Sequence, residues 1–236
     1  MAEAKDARLV RLENGRTPQQ VADLLLEEAL RNPEFIVGLD FAFSFPAWFC
    51  QGLNAKNVYE VWDQIAAKGE QLLSDCGPPF WGKPGRKRPS SGEPFRRTEL
   101  DIAGNGSGAK PKSIFQIGGA GAVGTGSIRG MPALKRLHDS GFSIWPFEVP
   151  AWPLVVEIYP RLLTGPIKKS SQASREAYLT TFTPSLAKGF CNTASSNEDA
   201  FDAAISALVM SSRIEEFERQ RQGREAWELI EGKIWY

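Results

Sequence analysis

Four carboxylates stand where carboxylates are costly. Asp40 ends an apolar run over residues 35–39 and is followed by Phe41-Ala42-Phe43, and Glu157 sits inside Leu154-Val155-Val156-Glu157-Ile158. Burying an ionised carboxylate without a partner costs several kcal/mol, so each needs a cation, a metal ion or a raised pKa. A buried salt bridge or a helix cap is the structural alternative for each. Asp199 and Asp202 lie three residues apart on one face of a helix predicted over residues 197–211, a like-charge spacing that disfavours an isolated helix. Ser195 with Glu198 reads as a capping box, so Glu198 and Asp199 are also explained as first-turn acids. Asp202 has no such explanation. Ala200, Ala203, Ala204 and Ala207 form a small-residue stripe that lets this helix lie close against a sheet. Acids drawn from two strand ends and one helix face are what a divalent-metal site requires: hard oxygen ligands for Mg²⁺ or Mn²⁺, with a shared carboxylate when two ions bind.

Cations and glycines supply the other chemistry. Over residues 83–112 basic side chains outnumber acids eight to three, among them Arg86, Lys87, Arg88, Arg96 and Arg97. Such a run is most often a solvated loop, but Phe80, Trp81 and Phe95 interleave stacking faces with the charges, which suits unpaired nucleic acid. Gly119-Ala120-Gly121-Ala122-Val123-Gly124 matches G-x-G-x-x-G, with Glu148 downstream where a dinucleotide-binding acid would fall. Against that reading, the next helix is predicted to open only near Pro132, leaving a loop over residues 118–130 too long for a pyrophosphate turn. A third reading has the loop amides and Arg129 hold a substrate phosphate. His138 reads as a partner of a helix C-terminus. Cys50, Cys76 and Cys191 have neither metal-ligand spacing nor a charge context that activates a thiol, and read as packing residues.

These residues are positioned by alternating strands and helices. Residues 7–13 read as a strand running into Asn14-Gly15. Thr17, Pro18 and Gln20 open a helix that ends near Asn32-Pro33. Residues 35–39 have the pattern of a strand buried on both faces, and Asn57 with Glu60 starts a second helix that Gly77-Pro78-Pro79 stops. An aperiodic excursion occupies about residues 76–112, followed by short strands over residues 113–117, 142–147 and 154–159. Helices are predicted over residues 172–187 and 197–211, with a charged amphipathic stretch over residues 213–231. The pattern is that of a single α/β domain spanning residues 1–236.

The blocks Val37-Gly38-Leu39-Asp40-Phe41-Ala42-Phe43-Ser44-Phe45-Pro46, Val155-Val156-Glu157-Ile158-Tyr159-Pro160 and Glu198-Asp199-Ala200-Phe201-Asp202-Ala203 resemble the three signature blocks of the domain-of-unknown-function 429 family. The resemblance extends over nearly the whole chain, through Pro78-Pro79-Phe80-Trp81-Gly82, Phe95-Arg96-Arg97-Thr98-Glu99 and Ser113-Ile114-Phe115-Gln116. It implies an RNase H-like three-layer fold with a mixed central sheet, similar to RuvC-like resolvases, and a metal-dependent nuclease activity. It also implies that Asp40, Asp199 and Asp202 are the metal-binding acids, with Glu157 a further catalytic acid close by. The family places its first aspartate in a Gly-x-Asp strand near the N-terminus. No such segment precedes residue 7, so the expectation is an N-terminally incomplete domain, with residues 7–12 separated from or shifted against the main sheet.

The 28 basic and 28 acidic residues balance, so no global field draws in nucleic acid or a membrane, and any polyanion contact must be local. Hydrophobic residues at 42% and charged residues at 24% exclude a disordered or fibrous chain. One histidine and three scattered cysteines exclude zinc-finger and HExxH chemistry and point to reduced thiols in the cytoplasm. No apolar stretch reaches the roughly 18 residues of a membrane span. The expected partner is a nucleic acid or nucleotide substrate.

Overall fold

The computed structural model describes residues 1–90, 92–106, 108–183 and 186–236. In chain order the elements are β1 (Ala2–Lys5), β2 (Arg8–Leu12), α1 (Pro18–Arg31), β3 (Ile36–Leu39), α2 (Ala47–Gly52), α3 (Val58–Asp75), α4 (Arg97–Gly104), α5 (Gly124–Asp139), β4 (Ser143–Ile144), β5 (Leu154–Ile158), α6 (Pro160–Thr164), α7 (Gln172–Phe182), α8 (Lys188–Ser196), α9 (Glu198–Ser212), α10 (Ile214–Glu218), α11 (Glu228–Glu231) and β6 (Ile234–Trp235). The fold is mixed α/β, with a four-stranded parallel sheet and a separate antiparallel pair. It comprises two compact units, one of residues 1–16, 159–220 and Tyr236, the other of residues 17–158 and 221–235. Residues 91 and 107 of the basic excursion, and 184 and 185 of the helix expected over residues 172–187, lie outside the described residues.

In the second unit local signals set the helix starts. The Thr17 hydroxyl accepts from the Gln20 amide while the Gln20 side chain accepts from the Thr17 amide at 2.9 Å, closing the predicted capping box of α1. Asn57 accepts from the Glu60 amide at 3.0 Å to start α3, which ends on Cys76 in the left-handed region. β5 is the central strand and is buried throughout, as its continuous apolar run predicts. β3 lies along one edge of it, from Ile36 opposite Leu154 to Leu39 opposite Glu157. β4 and β6 share the other edge. Every pairing in this sheet is parallel, where a mixed sheet was expected. β3 is half-buried rather than buried on both faces, because among the described residues β5 is its one strand partner. The core gathers Trp62 and Ile65 of α3, Met131 and Leu134 of α5, Val155 of β5 and Phe43, Phe45 and Phe115 from loops.

Two expectations here are corrected. Residues 113–117 form no strand; Gln116 makes one isolated parallel bridge to Trp81. α5 opens at Gly124, with Pro132 inside it.

In the first unit β1 and β2 form a hairpin closed by Asp6 and Ala7, both at positive φ, the conformation that matches a tight turn to strand twist. The strand expected over residues 7–13 is therefore β2, in a sheet apart from that of β3. α9 packs its buried Phe201, Ala204, Ile205 and Leu208 within this unit, against the hairpin, α6 and α8. Its N-cap is Asn197, which accepts from the Ala200 amide at 3.0 Å; the expected capping residue Ser195 is buried inside α8. The stretch over residues 213–231 breaks into α10 and α11.

Candidate functional site

The start of α9 borders an open, polar cavity of about 430 Å³, lined by Ser170, Arg175, Ser196, Asn197, Glu198 and Asp199. Glu198 and Asp199 are exposed at its edge. Arg175, on the inward face of α7, is 5% exposed. Its Nε donates to the Ser195 carbonyl at 2.8 Å and its Nη1 to the Lys169 carbonyl. Among the described residues no carboxylate pairs with this guanidinium.

Asp202, one turn on from Asp199, is half-buried and holds the Lys169 ammonium at 2.5 Å through Oδ2. Its Oδ1 is buried without a partner, as are the hydroxyls of Thr164 on α6 and of Ser206 one turn further along α9. Burial pushes the Asp202 carboxyl above its ordinary 3.8; Lys169 pulls it down, and Asp199 and Glu198 push it up again. A folded-state pKa above the unfolded one gives a contribution that is full below the unfolded pKa and is lost as pH rises through the folded pKa. Lys169→Met removes the cation bonded to this carboxyl, raises that pKa further and should cost about 1–2 kcal/mol at pH 7, discounted for partial exposure of the pair. Urea unfolding should find a smaller loss as pH is lowered, because protonation of the carboxyl removes the charge that Lys169 answers; a loss that does not change with pH would contradict this assignment.

Glu157 lies two residues after Val155 and on the same face of β5, inside the second unit. It is 2% exposed. Oε2 accepts from Arg96 Nη1 at 2.8 Å and from the Phe43 amide at 3.0 Å, while Oε1 accepts from Arg96 Nη2. Arg96, 1% exposed, also donates through Nε to Glu99 at 3.0 Å and through Nη1 to the Glu231 carbonyl. The buried salt bridge is thus the alternative realised at Glu157, whose oxygens are committed to protein donors rather than held open for metal. Arg96, expected on phosphate, is instead the cation that makes Glu157 tolerable. Burial pushes Glu99 upward in pKa, against the pull of Arg96.

Asp40 is exposed at the C-terminal end of β3, one residue past Leu39 and its register partner Glu157. Asp40 and Glu157 belong to the second unit, and Asp199 and Asp202 to the first. Within each unit, among the described residues, no three His, Cys, Asp or Glu side chains form a preassembled metal-binding group. Arg86, Lys87 and Arg88 are exposed on a turn tied by the Gly82 amide to the Arg86 carbonyl. Arg88 stacks on Trp81 at 5.7 Å and on Phe95 at 5.6 Å, so the chain's own cation occupies the expected stacking faces, while Phe80 is buried in an aromatic cluster with Phe45, Phe49 and Phe115. Arg97 pairs with Asp101 at 3.1 Å and Arg129 with Glu70 at 2.7 and 3.0 Å. His138, in the last turn of α5 as expected, places Nδ1 2.9 Å from Glu148 and stacks on Tyr59, whose phenol burial and Glu148 push up to about 12.

Comparison of the chain with family models, with curated proteins and with solved structures gives no match. No helix among the described residues is long and apolar enough to cross a membrane. Arg175 and Lys169, which shape the acidic end of α9, were not singled out from the sequence. Arg175 reads as an ordinary surface position in a weakly amphipathic helix, and only its apposition to the Ser195 carbonyl reveals its burial.

Proposed function

We propose that this chain is a metal-dependent phosphodiesterase of the RNase H-like kind, the activity implied by its resemblance to the domain-of-unknown-function 429 family. The observation that carries this reading is the cavity at the start of α9, where Glu198 and Asp199 stand beside the Arg175 guanidinium, which forms no ion pair among the described residues. Hard oxygen donors of the kind a divalent cation takes line it, on the exposed carboxylates of Asp199 and Glu198, and Asp202, one turn along and outside the lining, has a buried Oδ1 with no hydrogen bond. Asp40, a further acid that the resemblance assigns to metal, is exposed in its own unit at the C-terminal end of β3, a position where α/β sheets commonly bind ligands. Glu157 and Arg96 are left out, their polar groups being spent on each other. A bound Mg²⁺ or Mn²⁺ would lower the pKa of water to supply hydroxide and neutralise the leaving oxygen. The chain's own residues hold that charge in place, and Lys169 keeps Asp202 oriented while pulling against the burial that raises its pKa.

Asp199→Asn and Asp202→Asn should each lower Mn²⁺-dependent cleavage of single-stranded or junction nucleic acid by at least about 100-fold with the melting temperature nearly unchanged. Undiminished cleavage by both variants would overturn the assignment.

One observation favours a second reading, nucleotide binding at the glycine loop. α5 opens at Gly124 itself, so the motif does abut a helix N-terminus. Stabilisation by NAD or ATP but not by Mn²⁺ in a thermal-shift experiment would favour it over the nuclease.

A further inference from the structure

We propose that two copies of this chain associate through the open edge of β3, with β3 of each copy pairing antiparallel to β3 of the other. This goes beyond the nuclease reading and does not depend on it. The direction of the backbone groups carries it. Ile36 lies opposite Leu154, and the Leu154 amide donates to the Phe35 carbonyl at 3.0 Å. In a parallel ladder of that phase Val37 and Leu39 turn their amides toward β5, while the N–H and C=O of Ile36 and Gly38 point away from it. Among the described residues β5 is the one strand paired with β3, and no hydrogen bond reaches those outward groups.

Such an edge is normally blunted by a charge, a proline or a bulge. β3 has none of these. Ile36, Val37, Gly38 and Leu39 are uncharged, half-buried and in unbroken register with β5. The segments that lead into the two strands add exposed apolar side chains: Leu30, near the end of α1, is 90% exposed, and Val149, on the approach to β5, is 69% exposed.

A second copy is the occupant because the edge is complementary to itself. With Ile36 opposite Gly38 of the other copy, a two-fold axis passes between the two Val37 residues and every outward N–H meets an outward C=O. Gly38, having no side chain, leaves room for Ile36 across the strands, and Phe35 comes opposite Leu39. The 28 basic and 28 acidic residues balance, so no net charge holds the copies apart. One local repulsion remains: the same register sets the exposed Glu34 against the exposed Asp40 at both ends of the pair. A strand of four residues buries far less than a standard interface, so the dimer is weak and exchanges rapidly.

Sedimentation velocity of the full chain from about 5 to about 500 µM should show monomer passing reversibly to dimer, more readily at high salt, which screens Glu34 from Asp40. Amide exchange followed by NMR should slow at Ile36 and Gly38 as concentration rises and stay constant at Val37 and Leu39, whose amides already bond to β5. Gly38→Pro removes an outward donor and none that reaches β5, so it should weaken association at least about tenfold. Glu34→Lys turns the repulsion into attraction at both ends and should strengthen association about tenfold at low salt, a gain that no folding defect imitates. A chain that stays monomeric throughout this range would overturn the proposal, as would a dimer in which the Ile36 and Gly38 amides gain no protection and Glu34→Lys changes nothing. Protection of those amides by an added extended peptide of valine and threonine, in a chain that itself remains monomeric, would overturn the second copy as the occupant.

Discussion

Arg96→Met should destabilise the protein by about 3–5 kcal/mol, the largest loss expected from any single charged residue here. The guanidinium is fully enclosed and answers Glu157 and Glu99 at once, with a further bond to the Glu231 carbonyl. Taking it away leaves two acids, each 3% exposed or less, in a space that can neither solvate nor neutralise them. The Phe43 amide would still reach Glu157, but one neutral hydrogen bond does not replace an ion pair. Arg96→Met with Glu157→Gln should recover a substantial part of the loss, because the second change removes the uncompensated charge; urea unfolding of both single variants and the double variant measures that coupling. The cost of Arg96→Met should also depend on pH. Glu99 already has a raised folded-state pKa, so its contribution is full below its unfolded value and is lost as pH rises through the folded one. Without Arg96 that pKa climbs higher and the loss extends toward neutral pH, so the variant should be relatively better preserved at pH 5 than at pH 8. Equal stability of wild type and Arg96→Met at pH 7 would mean that the cluster is solvated in solution. Glu157→Gln alone should leave the Mn²⁺-dependent cleavage proposed for this chain intact wherever the protein remains folded, which separates Glu157 from Asp199 and Asp202.

The elements legible in the sequence are those whose signals are local. α1 and α3 carry their caps in Thr17, Gln20, Asn57 and Glu60, within one turn of where they act. β5 declares its burial in five successive residues, and the demand of Glu157 for a cation could be stated before its source was known. That source is 61 residues away in sequence, in a stretch that reads as a solvated basic loop. Charge count along the chain cannot separate Arg96, which is enclosed, from Arg97 beside it, which is exposed; α4 places consecutive residues on different faces, and its presence is masked by glycine, proline and serine around it. Residues 113–117 mislead for a related reason. Ile114, Phe115 and Ile117 are buried as a strand's would be, but in a turn that wedges into the aromatic cluster. The pairing of Lys169 with Asp202 and the enclosure of Arg175 depend on how α7, α8 and α9 pack, which no period in the sequence encodes.

Gly124→Ala should be among the most damaging substitutions of an apolar residue, while Gly126→Ala two positions along the same helix should stabilise. A β-carbon on Gly124 would stand 2.0 Å from the Ile114 carbonyl oxygen, 2.8 Å from Ile117 Cγ2 and 3.0 Å from the Gln116 carbonyl oxygen. Two of these are backbone atoms, which cannot turn aside, and the Gly124 amide itself donates to the Gln116 carbonyl at 3.0 Å. The cost should lie at or beyond the top of the usual overpacking range, about 3 kcal/mol, or prevent folding. At Gly126 nothing lies within 4 Å of the added carbon, so alanine gains about 0.5–1 kcal/mol from reduced backbone freedom. Both residues occupy the first turn of α5, so helix propensity acts on them alike and the difference isolates the contact. This contact explains why the helix starts where it does. The residues preceding it are poor helix formers, but the close seat of Gly124 on residues 114–117 fixes the chain direction one residue before the first turn closes, and Pro132 is accommodated further along. The same contact accounts for the last glycine of G-x-G-x-x-G without any nucleotide. Thermal unfolding should show Gly124→Ala falling and Gly126→Ala rising relative to wild type; a Gly124→Ala protein of wild-type stability would free that glycine from packing and return the motif to phosphate binding.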